Sequence, residues 1–415
     1  MTNRVLLMIC LALTQQTAAL SQEWTRFRGP NGTGISSATT VPVSFTQSDF
    51  NWKTALPGVG HSSPVIWGKK VFLTSAEEDK GKRHAFCIDA TDGTILWSKT
   101  EDFTAYRHHE FNTCASSSPT VDEKQVYFLW ATPDAIVIQT FDHSGKEIWK
   151  RDLGKLAIQH GIGTSPIIVG DVVVLGVYQE QDGPEGFLIG LDKKTGQTLW
   201  KKPRSKNNSS SYATPFVYQP AGGTAEVIFA STAHGITSLD PKTGDINWET
   251  DSLGKLRCVA CPVLANGLIF QVSGQGDGSR EAVAVKPGKK GGAAPTVAYR
   301  IARGPAYVPT PLFTGDLLFA WGDAGIVTCL KPESGDEVWK ERVGDSKFFG
   351  SPVCVNGKLY AMSARGELVV IDAANKFNLV SKIDLGEPSH STPAVANGAM
   401  YLRTQSHLIS VGGKK

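Results

Sequence analysis

What this 415-residue chain lacks narrows its class before any motif is read. Charge of neither sign dominates: 42 basic against 39 acidic residues leave a formal +3. That balance excludes a polybasic nucleic-acid binder and gives no reason to expect a strongly acidic partner. Methionine is scarce, at 4 residues, and long runs of Leu, Ala, Glu and Lys are few, which argues against a helical bundle. Beyond Leu13 no apolar stretch approaches the roughly 18 residues of a membrane-spanning helix. No Gly-rich loop follows a strand and opens a helix, so the usual nucleotide sites are unsupported, and no Ser sits in a Gly-x-Ser-x-Gly elbow. What is present instead is 43 Gly, 22 Pro and 10 Trp in a chain that is 41% hydrophobic and 20% charged, an ordered globular protein rich in turns.

Arg4 precedes the apolar run Val5 to Leu13, and Ala18, Ala19 and Ser21 follow. This reads as a signal peptide over 1–21, cleaved after Ala19 or Ser21, and predicts an exported, soluble protein, periplasmic or secreted. Ile9 stands before Cys10 where a lipoprotein signal needs a small residue, so a lipid anchor is not expected. Removing the leader leaves Cys87, Cys114, Cys258, Cys261, Cys329 and Cys354, an even set compatible with disulfides of unreadable pairing. Cys258-Val-Ala-Cys261 lacks the second pair of a zinc site, and Pro262 stands where a c-type haem motif has His. A structural disulfide or buried thiols are expected there, ahead of redox chemistry.

Two short patterns alternate along the chain. One is a turn followed by Trp, as in Asp89-Ala-Thr-Asp-Gly93-Thr-Ile-Leu-Trp97, and it returns before Trp149, Trp200, Trp248 and Trp339 at gaps of 52, 51, 48 and 91 residues. The long gap holds a degraded copy at Val285 to Gly288, and another degraded copy begins at Ile371. The second pattern is a small residue, then Pro, then an apolar strand. Its prolines are Pro64, Pro119, Pro166, Pro215, Pro262, Pro311, Pro352 and Pro393, at spacings of 41 to 55 residues. Eight strand-turn-strand copies at this period mean an all-β propeller of four-stranded antiparallel blades. Proline lacks an N–H and suits an innermost strand, an edge that faces the central channel. The Trp falls on the outermost strand, where it can wedge between blades. The last copy lacks its Trp strand, and Phe50-Asn51-Trp52-Lys53 matches Ile246-Asn247-Trp248-Glu249. The N-terminal strand therefore closes the eighth blade, giving an extension over 22–49 and a propeller over 50–415. Trp52, Trp97, Trp149, Trp200, Trp248 and Trp339 are read as structural.

The Asp-x-x-Thr-Gly-x-x-x-Trp copies, cleanest at Asp192 to Trp200 and Asp240 to Trp248, resemble the repeats of the pyrroloquinoline quinone (PQQ) propeller superfamily over nearly the whole mature chain. That superfamily includes quinoprotein dehydrogenases and non-enzymatic propellers such as BamB. Trp24-Thr-Arg-Phe-Arg28-Gly-Pro-Asn-Gly32-Thr-Gly34 further resembles the opening of exported bacterial members. The quinoprotein alcohol dehydrogenases carry adjacent cysteines against the quinone and bind calcium through a Glu, an Asn and an Asp. Neither feature has a match in this chain, and its loops between blades are shorter. The resemblance thus implies an exported, non-catalytic binding or scaffold module of the envelope, monomeric, taking an envelope protein, a peptide or a polysaccharide, with no cofactor. The alternative is a PQQ-dependent oxidoreductase of atypical site, holding PQQ with calcium.

The residues three before each proline are His61, Ser116, Gly163, Tyr212, Val259, Val308, Phe349 and His390, and in a propeller they gather at one mouth of the channel. His61 and His390 become neighbours on closure. His160, Arg257, Tyr307 and Lys347 lie in the corresponding loops, and His109 lies in the run Arg107-His108-His109-Glu110. Such a ring suits an anion, a peptide or a metal, although polar loop residues commonly do no more than line a wet channel. Adjacent His side chains on an extended segment point opposite ways, so His108 and His109 are not expected to share a metal, and no metal site is assigned.

Overall fold

Every one of those prolines opens an innermost strand. The strands that follow are Val65–Trp67, Thr120–Val121, Ile167–Val169, Phe216–Tyr218, Val263–Ala265, Leu312–Thr314, Val353–Val355 and Ala394–Ala396. From each, the chain steps outward through antiparallel neighbours, and the described residues form eight sheets arranged as the blades of a propeller. The structure, a computed structural model, describes residues 23–180, 182–206 and 210–413. The expected leader, 1–21, lies outside the described residues.

Closure follows the sequence pattern. Phe50–Ala55 pairs antiparallel with His407–Gly412, Trp52 opposite Ser410, so the two ends of the chain share the eighth blade. Uniform four-stranded blades were expected, and seven sheets have four strands. The seventh blade has a fifth, Ile35–Ser36, which pairs parallel to its innermost strand with Ile35 opposite Cys354. The extra strand lacks the repeat period because it comes from the N-terminal extension and covers an inner edge left open.

The turn pattern works as a clasp between blades. The Asp192 carboxylate accepts from the N–H groups of Lys194 (3.0 Å) and Thr195 (2.8 Å), and Gly196 adopts φ +69°. Trp149 of the preceding blade lies against Gly196 and donates its indole N–H to the Lys193 carbonyl at 3.0 Å. Trp52, Trp97, Trp200 and Trp339 donate in the same way to Ala90, His143, Pro241 and Ala374 of the next blade. At the degraded copies the chemistry changes. Trp248 donates to the Glu226 carboxylate of its own blade, and Tyr299 takes the Trp place in the fifth blade, its hydroxyl on the Pro332 carbonyl at 2.7 Å. In the seventh blade Ser381 stands there, donating to Val43 while Val41 and Phe45 of the extension bury themselves at the junction. All six described cysteines are free, buried thiols, so of the two structural options the chain uses the unbridged one.

The first described residues cross one end of the channel. Trp24 pairs with Ile66 of the first blade, and Thr25 accepts from Val121 of the second. Arg26 reaches the Pro215 carbonyl in the fourth blade (2.5 Å), Arg28 the Pro311 carbonyl in the sixth (3.0 Å), and Gly34 accepts from Cys354 in the seventh. Burial pushes both guanidinium groups down to about 10, so they remain cations whose donors need these carbonyls. Gly29 is obligatory because a Cβ there would sit 2.5 Å from the Trp24 ring at φ +67°.

The clasp is testable with two glycines of like backbone. A Cβ at Gly170 (φ +61°) meets nothing within 4 Å, whereas at Gly196 it meets the Trp149 ring at 2.6 Å. Gly170→Ala is expected to cost about 1–2 kcal/mol from its left-handed backbone alone. Gly196→Ala should cost a further ~1–3 kcal/mol from displaced packing. Urea unfolding measures both, and equal losses would remove the clasp as a restraint.

Candidate functional site

The residue just before each proline builds the lower wall of a chamber at the channel mouth. Ser63, Ser118, Ser165, Thr214, Cys261, Thr310, Ser351 and Thr392 occupy these positions, and all line the cavity. Backbone N–H groups of one blade donate sideways to the hydroxyl of the next: Ser63 to Ser118 (2.8 Å), Ser118 to Ser165 (3.0 Å), Ser165 to Thr214 (3.1 Å) and Cys261 to Thr310 (3.0 Å). Thr310 to Ser351, Ser351 to Thr392 and Thr392 back to Ser63 continue the circle. The small residue of the repeat is therefore a bridge between blades. Phe27 of the crossing segment also lines the chamber, whose volume is about 740 Å³, in the range of small-molecule sites.

The next ring up consists of the residues three before each proline, and all eight line the chamber. The His61 and His390 rings stand 4.4 Å apart. Phe349 lies 4.6 Å from His390 and stacks at 4.6 Å on Phe111, a residue of the connector between the first and second blades that reaches across to the seventh and eighth. His160, Arg257, Tyr307, Lys347 and His109 line the same chamber, so the structure brings together all seven residues singled out by spacing. His109 meets His160 edge-on at 4.9 Å, and His160 lies 6.4 Å from Tyr212. Sequence spacing did not single out Phe111, which sits in an irregular connector without period. Its only signal is an aromatic residue within an otherwise polar run.

Burial favours the neutral form of His61, His160 and His390. His61 is pushed down to about 3 by burial, then by His390 and Arg403, and His160 to about 4 by burial, then by Arg257 and His109. His390 is lowered by burial as well, and its Nδ1–H donates to the Phe111 carbonyl (3.2 Å), leaving Nε2 as an acceptor. Positive charge comes from Arg257, held by Gln159 at 2.9 Å, and Lys347, 4.5 Å over the Phe111 ring. Neither belongs to an ion pair among the described residues. Arg280, by contrast, is paired with Asp323 at 2.7 Å.

These features define a class: an eight-bladed propeller with one end of its channel crossed by its own N-terminal segment and a cationic, aromatic chamber at the other. A family model described as outer membrane protein assembly factor BamB matches residues 113–341 and 323–411, more than half of the chain, and the chain belongs to that family. BamB of Legionella pneumophila (strain Paris) is 30% identical over 166 residues, 37% of this chain and 36% of that protein. BamB of Yersinia pestis is 22% identical over 267 residues, 62% of this chain and 64% of that protein. The chain thus spans from about a third to under two thirds of the length of these curated relatives. Among solved structures, a europium-containing methanol dehydrogenase superposes with TM-score 0.66 at 13% identity, over 93% of this chain and 90% of that one. BamB from Moraxella catarrhalis superposes with TM-score 0.59 at 14% identity, over 91% and 98%. Both share the fold.

The superfamily resemblance raises PQQ with calcium, and the chamber fits one of the two. A planar polycarboxylate would meet the Arg257 and Lys347 cations beside the apolar wall of the Phe111–Phe349 stack. Calcium needs six to eight oxygen ligands. The chamber carboxylates are Glu110 and Asp323, and Asp323 is already taken by Arg280 and the N–H groups of Tyr307 and Val308. These residues do not fit calcium.

The neutral histidines give the pH dependence a sign. Below about 6.5 an unfolded histidine takes up a proton that folded His61 refuses until about 3. Its contribution is intact above pH 6.5 and is lost as the pH falls. Glu101 and Glu249, held down to about 2 against burial by hydrogen bonds and cations, act in the same sense only below about 4.5. Between pH 7 and 5 the His61 share is about 2 kcal/mol. His61→Asn should lose that much less stability than the parent over this interval in urea titrations; parallel losses would mean that folded His61 titrates normally.

Proposed function

We propose that the protein is an envelope propeller, periplasmic or secreted, that holds a small, planar, anionic ligand in its mouth chamber, with a PQQ-type quinone the first candidate. The observation that carries this reading is the chamber with Phe27 in its lining, which presents two cations free of carboxylate partners beside stacked aromatic rings. Arg257 and Lys347 hold the ligand's carboxylates, and the Phe111–Phe349 stack gives its ring system an apolar wall. When bound, a quinone of this class supplies a two-electron acceptor for an alcohol or sugar. His61 and His390 are neutral and so weakly basic that they serve as hydrogen-bond acceptors which orient a substrate hydroxyl, not as bases that take its proton. Residues 1–21 are then a removed leader, 22–49 the channel-crossing extension, and 50–415 the propeller.

The family match favours a second reading, a scaffold for envelope proteins. Exposed Leu96, Ile148, Leu199, Ile246 and Val297 on successive outer strands give the rim apolar contact points for it. Titration of the mature chain with PQQ, with and without calcium and read by tryptophan fluorescence, separates the two. Saturable micromolar quenching without a calcium requirement is expected, weakened at least about tenfold by Arg257→Ala and by Lys347→Ala. No saturable signal, or binding indifferent to both substitutions, would retire the chamber reading and leave the scaffold.

A further inference from the structure

A second cluster lies beside the chamber. Glu78 opens the short turn Glu78–Lys80 after the strand Lys70–Glu77 of the first blade, and His108 and Cys114 come from the connector to the second. His108 Nε2 is 2.9 Å from Glu78 Oε2, and Glu78 Oε1 accepts the Cys114 N–H at 2.9 Å. One ligand atom from each of the three residues lies within 4.8 Å of the others. In a tetrahedral zinc site such atoms stand about 3.3–3.5 Å apart, so a contraction of ~1.5 Å or less completes the set.

Two further observations point to a cation. His108 Nδ1 lies 2.9 Å from the His109 carbonyl oxygen, so Nδ1–H donates there; without an ion Nε2–H donates to Glu78, and Nε2 is the nitrogen that a metal would take in place of that proton, the orientation that outer partners impose on a metal-ligating histidine. Glu78 and His108 also border a side cavity of about 390 Å³, which leaves room for a water as a fourth ligand. Cys114 is buried and the side chains of Glu78 and His108 are 29% and 15% exposed, so the donors are shielded but reachable. Nitrogen, sulfur and one carboxylate are donors for a borderline ion, unlike the oxygen set that calcium or magnesium needs.

We propose that Glu78, His108 and Cys114 form a three-ligand site for a divalent cation of the zinc class, with its fourth position open to the side cavity. Binding forms bonds from His108 Nε2, Cys114 Sγ and a Glu78 oxygen to the ion; the thiol proton and any proton on Nε2 go to solvent, and nothing is oxidised or reduced. His61, His390, Glu110 and Asn112 line both cavities, so the ion would stiffen the wall and the connector that carries His109 and Phe111. The site stands whether or not the chamber takes a quinone.

The test is a cobalt(II) titration of the untagged mature chain after chelator treatment, followed by back-titration with zinc and performed without quinone. One equivalent is expected, with a thiolate-to-cobalt charge-transfer band that zinc abolishes. Cys114→Ser should lose that band, His108→Ala should weaken binding at least about a hundredfold and Glu78→Gln at least about tenfold, whereas Cys258→Ser should leave it unchanged. Unchanged tryptophan spectra and melting identify the folded variants, and Glu78→Gln decides the matter if Cys114→Ser does not fold. The absence of a saturable band, or a band that survives Cys114→Ser, would overturn the site and leave the three residues as a hydrogen-bonded clasp.

Discussion

The molecule depends on one constraint. The innermost strand of each blade is a sheet edge turned toward the channel, and the backbone groups where it begins must find partners away from bulk water. The circle of N–H to hydroxyl bonds, all between 2.8 and 3.1 Å, meets that need at seven of the eight junctions by joining a blade to its neighbour rather than to itself; the step from Thr214 to Cys261, which has no hydroxyl, is the exception. Each bond is worth only about 1 kcal/mol net, but an unmade one in a buried position costs more. Side chains at this level must be small, which sets the width of the chamber floor, whereas the ring above it is free to vary from Gly163 to His390.

That division explains what was legible in the sequence. The blade count, the closing strand at Phe50 and the Trp clasps were readable because each is a property of the repeat, and a repeated register places equivalent residues at equivalent heights. The same logic found His61 and His390 as neighbours from residues 329 positions apart. The parts without a period were not readable. The extension's path across the end of the channel depends on Arg26 and Arg28 meeting carbonyls in the fourth and sixth blades, which no local pattern encodes. Tyr299 standing in for a Trp was hidden by its degraded turn. His108 and His109 do point different ways, one to Glu78 and the other to His160, but Glu78 enters from the end of another strand and could not be anticipated.

The chamber shows how burial and charge divide the work between residue types. The histidines nearest the eighth blade are forced neutral by their surroundings, so they offer lone pairs without adding charge. The cations come from connectors, where their charged ends rest on an aromatic ring (Lys347) or a side-chain amide (Arg257). A chamber made in this way sets unpaired cations beside uncharged acceptors.

Two of the ring's fastenings are replaced at a single junction. Between the fourth and fifth blades the hydroxyl circle carries Cys261, whose sulfur is a weak acceptor, and Trp248 turns its N–H back to Glu226. The N-terminal segment bonds on either side of the fifth blade: Arg26 and Asn31 hold the fourth, and Arg28 holds the sixth. Mechanically it is a strap across the weakest joint of a closed hoop, carrying tension that the joint itself would bear poorly. Pulling the chain from its N-terminus would release the strap before any blade, and the hoop would then behave as a clip hinged opposite that joint.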